Sequence, residues 1–350
     1  MKSNILLVLL CHFLAFSACS QTVTPLYRDF VIANDQLWAL TENGHLRLFD
    51  LKSEARLTEP MVKDSLVAIA IDIHSVLVVG DKQHRIQKYD SAGGVWNSLG
   101  NYSGSLYGIT FDQDNNCYLI TSKGVVELGS NRTYFPDSGL NTQIHYHGAW
   151  FRQPTYYMDS AGNLWLGFRY GEWGGDLFVF NTRLKRFLPL NISGYSIELY
   201  PVQGICSNGG DVFISTGVDH MSTSGSIVRF KNYKASVIFE SSPYSDAHRH
   251  DSAFQGEYIG PTAFNNFDRR LYFYSQHGFF RGDPNQDLSS IEKWEKVARP
   301  HLKWSWGQQD AVGSPMNVRK IAFYRNSKML FLTQLNGIGI LQDGDAVFLN

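Results

Sequence analysis

The sequence predicts an all-β chain folded as a seven-bladed β-propeller, with four antiparallel strands in each blade. Three observations carry this expectation. One pattern, a polar turn followed by a short alternating apolar run, recurs at Gln36, Ser75, Asn116, Asn163, Asp211, Arg270 and Lys328. These anchors lie 39, 41, 47, 48, 59 and 58 residues apart. A period of roughly 40–50 residues holding several strands is that of a propeller blade. No segment shows helical periodicity of useful length, whereas aromatic residues make up 14% of the chain, as suits sheets packed face to face.

The elements follow in chain order. Lys2 precedes an apolar run, Ile5 to Phe16, that is too short to span a bilayer and reads as a secretory signal over residues 1–20. Ala18 and Ser20 fit cleavage before Gln21; Phe16-Ser-Ala-Cys19 offers the alternative of a bacterial lipoprotein box with Cys19 lipidated. Either way the chain is expected to be exported, to the periplasm, the cell surface or the medium. Residues 21–350 then form one domain. The first blades are near minimal and the later ones carry insertions; the fourth shows its strands most fully, with Thr155–Asp159, Asn163–Phe168, Asp176–Asn181 and Arg186–Leu190 reading as its four strands. The seventh ends at Ala346–Asn350. The ring closes either by packing of blade 7 on blade 1 or by Thr22–Phe30 adding an edge strand.

The turn Asp159-Ser-Ala-Gly-Asn163, with the strand Leu-Trp-Leu-Gly167 after it, resembles the repeat of two-component-regulator propellers, Asp-x-x-Gly-Asn-Leu-Trp-Leu-Gly. Gln36-Leu-Trp-Ala-Leu-Thr and Asp112-Gln-Asp-Asn-Asn-Cys-Tyr-Leu-Ile match it in part. The resemblance implies the propeller fold. It does not extend to the membrane helix and kinase that accompany such propellers in that family.

Strand direction then sorts the loops. Strands alternate up and down, so turns between first and second strands, and between third and fourth, share one plain face. Loops between second and third strands, and crossovers between blades, share the other. The long insertions fall on this second, elaborated face: 141–154, 169–175, 217–225, 241–260 and 299–317. Loops on a rigid scaffold commonly carry function. Of the histidines beyond the signal, only His74 sits in a plain-face turn; His45, His84, His145, His147, His220, His248, His250, His277 and His301 map to the elaborated side.

Two His-x-His pairs stand out, His145/His147 and His248/His250. In an extended segment residues i and i+2 share a side, so each pair can chelate one ion. With Asp219, Asp246 or Asp251 the four histidines form a candidate site for Zn, Mn or Ca, although ordinary loop histidines read the same way. Trp150, Arg152, Tyr170, Glu172, Trp173, Trp304 and Trp306 crowd the same loops. Flat aromatic faces stack on sugars and Arg grips carboxylates with two parallel bonds. The alternative is that these rings only lock the loops together.

The expected function is binding of a polar small molecule or glycan by a monomer. A second reading is a polysaccharide lyase or glycoside hydrolase. A lyase needs a carboxylate-neutralising group (Arg152 or a metal), a base (His147 or His250) and an acid (Tyr146 or Tyr244). A hydrolase needs paired carboxylates, for which Glu172, Asp176, Asp219, Glu257 and Asp310 are candidates. A net charge of −1 excludes nucleic acid as the main partner, and any membrane contact is expected only through an N-terminal lipid. Cys117 and Cys206 fall in strands of non-adjacent blades and read as small buried hydrophobes.

Overall fold

The computed structural model describes residues 25–62, 64–136, 150–192, 195, 201–219, 223–242, 256–303, 317–325 and 328–349, with Glu172 and Asp219 described by backbone only. Among these residues the strands form seven four-stranded antiparallel sheets, each built from four consecutive strands. The blades span Tyr27–Leu57, Leu66–Asn101, Leu106–Tyr134, Thr155–Leu188, Val202–Ser241, Thr262–Ala298 and Val318–Phe348. The expected strands of blade 4 are found at Thr155–Met158, Asn163–Gly167, Leu177–Asn181 and Arg186–Leu188.

The first strand of each blade is innermost. From blade 1 to blade 7, successive first strands meet one another, and the first strand of blade 1 meets the second strand of blade 7. Second strands lie between neighbouring blades and are buried on both sides, which is why Leu77–Asp81 and Asn163–Gly167 are buried throughout. Fourth strands face solvent, and Val95–Asn101 has no fully buried residue. A sheet covered on both faces reads as a continuous apolar run, whereas a half-covered one alternates.

Side chains from adjacent blades interdigitate to make the core. Trp165, Leu177 and Val179 of blade 4 pack with Ile205, Val212, Ile214 and Val228 of blade 5. The ring closes in the same manner: Tyr27, Phe30, Leu37 and Phe49 of blade 1 pack against Leu330, Leu332, Ile338 and Ile340 of blade 7. Each such side chain contributes about 1.5–3 kcal/mol on burial. Tyr27–Ala33 is therefore the innermost strand of blade 1 and pairs with Gln36–Thr41; it does not extend the sheet of blade 7. Ion pairs reinforce this seam, with Lys320 Nζ 2.6 Å from Asp29 Oδ1 and Lys328 Nζ 2.6 Å from Glu54 Oε1.

The inner strands surround a central channel of about 1250 Å³. Cys206 lines it as a buried free thiol, and Cys117 is also free; burial pushes both thiols up to about 12. Neither is poised for chemistry at neutral pH, because the thiolate is the reactive form. No helix among the described residues is long and apolar enough to cross a membrane.

Candidate functional site

The channel opens on the elaborated face beside the loop of blade 4. Here the second and third strands extend into a hairpin closed by Phe168 N–H donating to Asp176 O (2.8 Å) and Tyr170 N–H to Gly174 O (2.9 Å). Gly171 and Gly174 have φ of 69° and 85°, a left-handed backbone that a residue with a Cβ adopts only at a cost. The Tyr170 hydroxyl donates to Asp176 Oδ2 at 3.0 Å, with both side chains buried. This anchored hairpin carries Trp173 at its tip, 72% exposed.

Aromatic rings run from the core to the surface at the base of this hairpin. Phe168 stacks on Tyr170 (6.2 Å, 16°), and Tyr170 stacks on Phe151 (5.7 Å, 15°), which is 49% exposed. The Arg152 guanidinium sits 5.5 Å from the Phe151 ring centre and donates to Arg169 O. Trp150 is placed differently: it is buried among Phe135, Phe168, Phe178 and Phe187 and serves packing. Tyr170 and Asp176 likewise hold the loop rather than face solvent.

Arginines border the channel. Among the described residues its lining carries four cations, Arg28, Arg169, Arg319 and Lys320, and two carboxylates, Asp29 and Glu42. This positive balance stands against a whole-chain charge of −1. Low-dielectric walls focus such a field on the entrance. Arg169 Nη1 donates to Gln203 Oε1 at 3.1 Å, and Gln203 Nε2 donates to Gly217 O at 2.8 Å. No carboxylate among the described residues pairs with Arg169.

A repeated backbone device positions these groups. In blades 1, 2, 3, 5 and 7 the inner strand bulges at its second residue, Arg28, Val67, Tyr107, Gln203 and Arg319. A bulge leaves one residue outside the ladder and re-aims its side chain. Two of the freed carbonyls are used at once: Val67 O accepts from Arg28 Nη1 (3.4 Å) and Tyr107 O accepts from Gln153 Nε2 (3.0 Å).

Blade 6 contributes a paired histidine. His277 Nδ1 lies 2.7 Å from Glu257 Oε1. The segment bearing Glu257 is clamped, since Glu257 N–H donates to Ser241 Oγ (2.8 Å), Tyr258 N–H to Gln276 Oε1 (2.8 Å) and Gln276 Nε2 to Gly256 O (3.2 Å). His45, His84 and His301 also fall on the elaborated face, and His74 on the plain one, as strand direction requires.

Tyr146, His145, His147, His220, Tyr244, Asp246, His248, His250, Asp251, Trp304, Trp306 and Asp310 lie outside the described residues, as do the side chains of Glu172 and Asp219. Among the described residues no group of three His, Cys, Asp or Glu side chains is placed to hold a metal ion. The channel-lining cations Arg28 and Arg319 of the inner strands and Arg169 of the blade 4 loop were not legible as site residues. The available signal was Arg28-Asp29 and Arg319-Lys320, charged pairs opening otherwise apolar strands in blades 1 and 7.

No family model matches the chain, and no curated protein matches it. Solved structures do. An extracellular domain assigned to a one-component system, BT4673 of B. thetaiotaomicron, superposes with a TM-score of 0.58 at 12% identity, over 91% of this chain and 38% of that one. An ancestral GH74 enzyme gives 0.58 at 11% identity, over 93% of this chain and 46% of that one. U3-55K gives 0.55 at 10% identity, over 89% of each. The chain thus spans less than half the length of the first two. At such identities the likeness establishes a shared propeller fold.

Proposed function

We propose that this chain is an exported propeller whose elaborated face binds a glycan bearing acidic groups. The observation that carries this reading is the adjacency of two features. One is an anchored hairpin bearing the exposed Trp173 beside the exposed Phe151; the other is an arginine-bordered channel whose cations outnumber its carboxylates among the described residues. A sugar ring offers an apolar C–H face to the aromatic rings, and its carboxylate or sulfate suits the guanidinium forks. An exposed Trp on a rigid loop has the character of a binding hot spot. The extracellular-domain and GH74 neighbours support the fold's use in such settings, but the reading rests on these side chains. Calorimetric titration with matched acidic and neutral oligosaccharides tests it. Acidic members are expected to bind more tightly, with Trp173→Ala weakening them at least about tenfold; failure of every glycan to bind would refute the reading.

The His277–Glu257 pair favours a second reading, that the same face turns a glycan over. A carboxylate accepting the Nδ1 hydrogen fixes the tautomer and makes Nε2 the basic nitrogen. In β-elimination that base would take the proton α to the uronate carboxylate; the electron pair forms the C4–C5 double bond and expels the C4 oxygen. An arginine beside the carboxylate would stabilise the intermediate charge. Unsaturated-uronate absorbance reads this directly. His277→Ala is expected to abolish turnover and keep binding; turnover surviving in that variant would rule out the role.

A further inference from the structure

We infer that Arg28 and Arg319 form an anion subsite across the closing seam of the ring, and that Glu42 is a replaceable internal stand-in for the ligand's acidic group. The subsite deepens the glycan reading and rests on it for the nature of the natural ligand. Its geometry comes from two of the bulges: Arg28 is the bulge residue of blade 1 and Arg319 that of blade 7. Arg28 is held by backbone carbonyls of two blades, donating to Glu42 O (3.1 Å) and Val67 O (3.4 Å). Its guanidinium is thereby oriented before any ligand arrives, and its side chain stays 32% exposed.

Glu42 contacts both arginines loosely. Its Oε1 is 3.2 Å from Arg319 Nη1 and its Oε2 is 3.6 Å from Arg28 Nε. Charge-assisted bonds between such groups usually close to about 2.7–2.9 Å. The seam does contain contacts that tight, in Lys320–Asp29 and Lys328–Glu54 at 2.6 Å. Among the described residues, one carboxylate at long range between two guanidiniums leaves a positive charge and unspent donors at the channel entrance. An external carboxylate or sulfate bridging the two arginines would join blade 7 to blade 1, so binding is linked to ring closure and raises thermal stability by mass action.

The test is thermal unfolding of the full chain titrated with galacturonate, inorganic sulfate and glucose at constant ionic strength. Galacturonate is expected to raise Tm and glucose to leave it unchanged; sulfate matching galacturonate identifies a site reading charge, and a weaker response identifies one shaped for a carboxylate. Arg28→Gln and Arg319→Gln should each raise the apparent Kd about tenfold. Glu42→Gln is the decisive variant, because it removes the same seam ion pairs yet is expected to lower the Kd several-fold. Arginines serving only the seam predict that Glu42→Gln behaves like the arginine variants. That result, no galacturonate response in the parent chain, or a response surviving the double arginine variant would overturn the inference. Response to galacturonate without oligosaccharide binding would keep the subsite and remove the glycan surface; Trp173-dependent binding of neutral glycans without galacturonate response would do the reverse.

Discussion

The two faces of this propeller differ in how often one local device repeats, at Asp72, Asp112 and Asp159 on the plain face but at Asp81 on the elaborated one. On the plain face a local turn device recurs, and bonds such as Ile73 N–H to Asn115 Oδ1 and Ser160 Oγ to Gly209 O link neighbouring turns. Asp72, Asp112 and Asp159 each accept two backbone N–H groups from residues two and four positions on, and Ser75, Asn115 and Gly162 take the left-handed backbone the turn demands. On the elaborated face four of the contacts around the channel cross between blades: Arg28 to Val67, Gln153 to Tyr107, Arg169 to Gln203 and Arg319 to Glu42. Local closure makes a turn that any blade can repeat. Contacts between blades can differ at each position around the ring, and only such differences can build a site.

That contrast predicts plain-face variants that cost stability and elaborated-face variants that cost binding. The largest effect on stability is expected at Asp159, whose Oδ2 accepts from Asn163 Nδ2 and Trp165 Nε1, both buried. Asp159→Ala strands these donors and is expected to cost about 2–4 kcal/mol in urea denaturation, with glycan affinity unchanged. An affinity loss of similar size would break the division between faces. Trp173→Ala should do the opposite, moving stability by no more than about 0.5 kcal/mol while weakening acidic glycans, since its ring is mostly exposed. Loss of stability would make the ring a loop lock.

The smallest expected effect concerns pH. Burial raises the Asp72 carboxyl, but Lys88 Nζ at 2.7 Å and the Val76 and His74 N–H groups outweigh it and hold it below the usual carboxylate range. A depressed folded pKa stabilises the protein above the unfolded value of about 4, and the contribution is lost as pH falls through the folded one. Asp72→Asn should therefore be less stable near pH 7 and show a shallower stability decline below about pH 4. An unchanged acid slope would show that other carboxylates dominate it.

Legibility followed the same division. The run Asp159 to Gly167 carries its turn, its buried strand and its register within a few residues, so the blade and its strand order could be read directly. Trp150 shows the limit. As a large aromatic in an inserted loop it looked like a ligand contact, yet it fills a gap between Phe135 and Phe168, which are far from one another in sequence. Arg319 shows the converse: an arginine opening an apolar strand has no local mark of function, and it acquires one only by meeting Glu42 across the closed ring.

The sequence by itself determined the repeat, the four-strand blade, the sorting of loops to faces and the bland character of Cys117 and Cys206. These follow from backbone hydrogen bonding and side-chain alternation, which act over a few residues. Only the tertiary structure decided how the ring closes, which aromatics are core and which are surface, and that arginines from blades 1, 4 and 7 line one channel. Those outcomes depend on bringing residues hundreds of positions apart to within a few ångströms, and charge and exposure at such junctions are properties of the closed ring.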